Sequence, residues 1–232
     1  MQRYLLVVLL PLLLLACAGN KPDATAPGLE PVDRGRLVPI ASESVELTVQ
    51  TGINVMLFRA SLQVPMTGDM RGEELYFLLN HNAFITSMQL NGHQLTPEQI
   101  PVIKPKYFAA NLTDSQWDRI AQFASLYRVK MPDVVHTEPL SLAVQYNIRA
   151  TEAMTWCQLE DDEFVLDGIG FWYPSNLEND YPFHIEVTHP AKFFVELLDN
   201  RVPSEEVTPT MRLSSFDVAG QTEPLLLMGM VE

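Results

Sequence analysis

Cysteine is almost missing from this chain: its 232 residues contain two, Cys17 and Cys157. So few exclude a disulfide framework as the source of stability. Basic residues are also scarce, 15 Lys and Arg against 29 Asp and Glu, for a formal net charge of −14. Nucleic-acid binding needs clustered Lys and Arg to displace counterions, so charge-driven affinity for a phosphate backbone is excluded. Beyond the N-terminus no apolar run is long enough to cross a bilayer. Neither H-E-x-x-H nor G-x-S-x-G occurs, and no glycine-rich phosphate loop is present. What remains is a globular composition, 47% hydrophobic, with ample chain to bury a core.

The one long apolar run is 5–15, preceded by Arg3 and interrupted at Pro11. It falls short of the roughly 20 residues a spanning helix needs and ends in small residues, as a secretory signal does. Leu14-Leu15-Ala16-Cys17 resembles the lipobox of bacterial lipoproteins; the bland alternative is a plain secretory signal with an incidental cysteine. The resemblance implies that residues 1–16 are a signal peptide cut before Cys17. The thiol and amine of Cys17 then carry acyl chains such as palmitate and insert in the lipid bilayer. Ala18, where inner-membrane retention would call for Asp, implies the outer membrane, facing the periplasm. An acidic chain is repelled by anionic lipid headgroups, so such an anchor has to be hydrophobic. Residues 17–44, rich in Pro and Gly and without periodicity, read as the lipidated cysteine and a flexible tether.

From Val45 onward the period is two. Val45, Leu47 and Val49 alternate with polar residues, as do Leu142, Val144, Tyr146 and Ile148, and Phe183, Ile185 and Val187. Leu75 to Leu79 is a continuous apolar strand, and Asn91-Gly92 is a hairpin signal because both residues tolerate positive φ. Residues 45–232 therefore read as one mainly β domain, an antiparallel β-sandwich. One segment departs from this pattern. Thr113 with Gln116 forms a capping box, and Trp117, Ile120, Ala121, Ala124 and Tyr127 follow at helical spacing. This predicts an inserted α-helix at about 113–128, packed on a sheet face or edge or presented to a partner.

Catalytic and metal chemistry is hard to assemble from the sequence. The histidines 81, 93, 136, 184 and 189 are dispersed and read as unpaired surface residues, His184 and His189 on opposite faces of one strand. Glu160 to Glu163 is contiguous, not spaced as a calcium loop, and reads as a solvated turn. Cys157, between apolar neighbours, reads as a buried strand thiol. The expectation is therefore no catalytic residue, no metal site and no cofactor. Trp172, Tyr173 and Trp117 are the aromatic candidates for an interaction surface. Plain core burial competes with that reading for all three. If 171–173 is a strand, Trp172 and Tyr173 face opposite ways, and one of them meets a cleft.

Three stretches carry a family resemblance: ELYFLLNHNAFITSMQLNGHQL (74–95), LSLAVQYNIRA (140–150) and 164–200, with Trp172-Tyr173-Pro174 and a strand from Phe183 to Pro190. In this order they resemble the N-terminal β-sandwich domain of the aminopeptidase N (gluzincin) family. The resemblance implies a fold over roughly 45–230, with the 113–128 helix as an insertion. The family's zinc and general-base motifs belong to a later domain, and none has a position in this sequence to be carried onto. The expected role is thus a non-catalytic, membrane-anchored lipoprotein that binds an unknown envelope protein or ligand. The alternatives are a metal-dependent hydrolase with a dispersed site, and an accessory subunit or remnant of a peptidase or envelope transport system.

Overall fold

A computed structural model describes residues 37–65, 72–101, 113–131, 133, 139–177, 180–220 and 224–231. The expected leader, Cys17 and the expected tether up to residue 36 lie outside the described residues. In chain order the elements are β1 (Ser42–Gln50), β2 (Val55–Val64), β3 (Glu74–Asn80), β4 (Phe84–Leu90), β5 (His93–Gln94) and β6 (Glu98–Pro101). Next come helix α1 (Asp114–Phe123), β7 (Ala124–Lys130), β8 (Leu140–Arg149), β9 (Cys157–Leu159) and β10 (Glu163–Asp167). The remainder are β11 (Phe183–Pro190), β12 (Phe193–Leu197), β13 (Asn200–Arg201), β14 (Glu205–Thr208), β15 (Met211–Val218) and β16 (Leu226–Val231).

These strands form three sheets. The largest has eight strands in the order β14-β15-β11-β1-β2-β8-β4-β5; a second has five, β13-β12-β16-β10-β9; a third has three, β3-β7-β6. Pairing is antiparallel except for β1 against β11, which run parallel. The predicted hairpin is present: Asn91 and Gly92, both at positive φ, join β4 to β5 with Leu90 opposite His93. The alternation read from sequence sets the faces. Val45, Leu47 and Val49 of β1 are buried while Ser44, Glu46 and Thr48 are not, and the same phase holds in β2 and β8. The large sheet turns this inner face onto Phe164 and Leu166 of β10, Phe193, Val195 and Leu197 of β12, and Leu227 of β16, all in one hydrophobic core. A Cβ at Gly229 would stand 2.0 Å from the Phe164 ring, so this position in β16 is held to glycine.

β3 is buried on both faces, as its continuous apolar run predicts. Phe77 and Leu79 enter the main core, while Tyr76 and Leu78 meet Trp117 and Ile120 of α1 in a second cluster. The helix thus packs on the outer face of the small sheet. It ends at Phe123, not 128. Ala124 to Lys130 is β7, which pairs along its whole length with β3, because the ladder to that buried strand outweighs the local helical spacing. The β domain also begins earlier than the predicted residue 45. Leu37, Val38 and Ile40 are buried, and the Val38 amide donates to the Tyr76 carbonyl at 2.8 Å, so residues 37–44 belong to the domain.

Candidate functional site

The three aromatic candidates for an interaction surface are all buried, as the competing core reading has it. Trp172, Tyr173 and Trp117 are 0%, 3% and 4% exposed. For Trp172 and Tyr173 the reason is local. A 3-10 turn at Gly168–Gly170 is followed by Phe171 at φ 53°, so 171–173 is not a strand and strand alternation does not apply. Both rings enter one core, edge to face with centroids 4.9 Å apart. Trp117 is buried because it is the side chain by which α1 sits on the small sheet.

Cys157 is 2% exposed, in β9, and burial pushes its thiol up to about 12. Only the thiolate alkylates at useful rates. In native protein at pH 8, iodoacetamide should therefore leave Cys157 largely unmodified over a period in which urea-unfolded protein reacts to completion. Equal rates in the two states would contradict this placement.

The exposed polar chemistry lies on the outer face of the eight-stranded sheet. Its parallel pair sets His184 beside Ser44, and β15 sets Asp217 on the other side of His184. His184 is therefore half-buried and not unpaired. Its Nδ1 lies 2.8 Å from Asp217 Oδ1 and its Nε2 3.4 Å from Glu186 Oε1. The hydrogen bond to Asp217 leads the rise in its pKa, opposed by partial burial. A serine, a histidine and an aspartate in one row invite comparison with a hydrolytic triad. The geometry does not support it: Nε2 is directed to Glu186, so Ser44 lacks a general base. Next to this cluster, Arg59 pairs with Glu46 at 3.7 Å. That pair lines a shallow depression of about 280 Å³ together with Thr86 and Asn147, and a second, of about 420 Å³, is lined by Ser44, Ser61 and His184. At the far end of the face Leu57 and Phe84 flank Asn147 and are 40% and 67% exposed.

His189, expected at the surface, is fully buried. It meets the Pro190 carbonyl through Nδ1 and Ser214 Oγ through Nε2, each at 3.0 Å, and burial lowers its pKa. Glu160 to Asp162 form an exposed turn between β9 and β10, as predicted. Among the described residues no three His, Cys, Asp or Glu side chains converge as metal ligands would.

The outer face of the five-stranded sheet is different in character. Leu226, Met228 and Met230 of β16 alternate with its core-facing residues. Val165 lies beside Met228, and Phe194 beside Met230. No sequence reading singled this face out, although the unbroken apolar run of β16 was its signal.

No protein-family model matches the chain, and no curated protein matches it either. Solved structures do. An M1 zinc metallopeptidase from Deinococcus radiodurans superposes with a TM-score of 0.54 at 16% identity, over 84% of this chain and 42% of that one. Native yeast LTA4 hydrolase superposes with a TM-score of 0.55 at 8% identity, over 90% of this chain and 32% of that one. At such identities the likeness is one of fold. The β-fold expected from resemblance to the aminopeptidase family is the fold present, and this chain spans less than half the length of the chains it matches.

Proposed function

We propose that this chain is a non-catalytic binding domain of the cell envelope, held at a membrane by acylated Cys17, that works by contacting another protein. The observation that carries this reading is the lopsided fold match. The fold takes up most of this chain but only 42% and 32% of the M1 metallopeptidase and LTA4 hydrolase chains. In those chains it is one part of a larger protein, so a domain of this architecture has surfaces suited to packing against more polypeptide. Function lives in sites and not in folds, and the peptidase chemistry of the solved relatives does not travel with the architecture. The membrane part rests on the lipobox-like sequence before Cys17.

Several acyl chains, each contributing about 0.8 kcal/mol per buried methylene, hold a domain at a bilayer essentially permanently. Cys17→Ser should therefore move the protein almost completely from the membrane fraction to the soluble periplasmic fraction. Retention of the variant on membranes would overturn the lipid-anchor reading.

A further inference from the structure

A central strand that is apolar on both sides belongs in a sheet covered on both faces, and β16 is such a strand. Toward the core it presents Leu227 and the glycine that admits Phe164. Away from the core it presents Leu226, Met228 and Met230, and with Val165 and Phe194 these make five contiguous, partly exposed apolar side chains. None of the five belongs to either core cluster or to the apolar residues packed against one.

We propose that this outer face is the docking surface for a second protein whose contact area is apolar at its centre and ringed by Lys and Arg; the proposal rests on the binding-domain reading above. Charge selects the partner. Each outward residue of β16 has a carboxylate as a cross-strand neighbour: Asp167 beside Leu226, Glu196 beside Met228 and Glu163 beside Met230. Glu160, Asp161 and Asp162 extend the acidic edge. Arg201 is the one Lys or Arg on these five strands, and its guanidinium lies over the Phe194 ring at 4.1 Å. A second copy would bring carboxylates against carboxylates, and anionic lipid would be repelled. A cationic rim complements this edge. Paired methionines at the centre suit such a contact, because their flexible thioethers repack against a partner's relief and Met is enriched in interfaces.

Four strand spacings by five residues give a face of roughly 20 by 16 Å. That is the footprint of a transient contact, so covalent trapping is the suitable measurement. A photo-crosslinking benzoylphenylalanine is placed at Met228, or at Thr48 on the large sheet, in the full chain in its own cells. The expected result is one adduct of discrete mass from position 228 and none from 48. Its yield should fall several-fold when membranes are irradiated at 500 mM instead of 50 mM NaCl. With the crosslinker at Val165, Met228→Glu should abolish the adduct while the melting curve shows a folded protein. The salt series on the otherwise unaltered chain remains decisive should that variant fail to fold. Adducts of twice the chain's mass would mean a second copy and overturn the proposal, as would a yield indifferent to salt. Trapping from 48 but not 228 would overturn this surface and leave the binding-domain reading standing. No adduct from either face would sink both.

Discussion

Replacing Trp172 with alanine should cost about 3–5 kcal/mol, the range for truncating a large aromatic in a packed core. A domain of this kind has a total stability of about 5–15 kcal/mol, so the variant should be marginal or unfolded at 37 °C. The indole lies 6.2 Å from Phe58 of β2 and 4.9 Å from Tyr173, centroid to centroid. Its Nε1 donates to the Leu225 carbonyl at 3.4 Å, and its own carbonyl accepts from the Tyr146 hydroxyl at 2.8 Å. Trp172 thus ties β2 and β8 of the large sheet to the segment leading into β16. A cavity there loses dispersion contacts on several sides and removes one of the donors to the buried Leu225 carbonyl, which keeps the Gly168 amide at 2.7 Å. Urea unfolding followed by circular dichroism reads the loss as a lower midpoint at unchanged slope. A shift within about 0.5 kcal/mol, the usual size for a surface site, would return Trp172 to the ligand-facing role that its sequence context also allowed.

That alternative arose because the sequence shows alternation and not where alternation stops. Strands with strict period two, such as β1, β8 and β11, were legible together with their buried faces, since one buried side requires one apolar phase. Around Trp172 the rule fails, because a turn at Gly168 and a left-handed Phe171 rotate two successive aromatics into one core. Phe84 is the mirror case. Counting back from Leu90 and Met88 by twos places Phe84 inside. A register shift between Ile85 and Ser87 turns it outward opposite Asn147, where it is 67% exposed. A bulge leaves little trace in composition. Past Phe123 the helical spacing of Ala124 and Tyr127 was real but lost to pairing with β3, and pairing depends on residues far away in sequence. The same distance hid the His184 cluster. Its face was readable from alternation, but Asp217 reaches it only because β15 pairs with β11. The apolar outer face of the five-stranded sheet was visible as an unbroken run in β16, yet it takes sheet order to show that this run is central.

Glu43 leads to the other large effect, a stability that depends on pH. It occupies an inward position of β1 and is 2% exposed. Tyr181 donates to its Oε2 at 3.2 Å, while Oε1 is buried without a hydrogen-bond partner. Burial pushes the carboxyl well above the ordinary 4.5, and the Tyr181 hydroxyl offsets only part of this. The folded protein therefore holds a proton that the unfolded chain releases above about pH 4.5. Raised in the folded state, Glu43 contributes stability that is fully present below its unfolded pKa and is lost as pH rises toward its folded one. One such proton is worth at most about 1.4 kcal/mol per pH unit. His189 slopes the other way: its lowered pKa gives stability that is present above 6.5 and lost on acidification. Both proteins retain His189, so it cancels from their difference. Glu43→Gln should thus gain on the natural chain steadily from pH 5 upward, at no more than that slope, for as long as the buried carboxyl keeps its proton. Curves of unfolding free energy against pH that run parallel for the two proteins would show that Glu43 is ionised in its buried site.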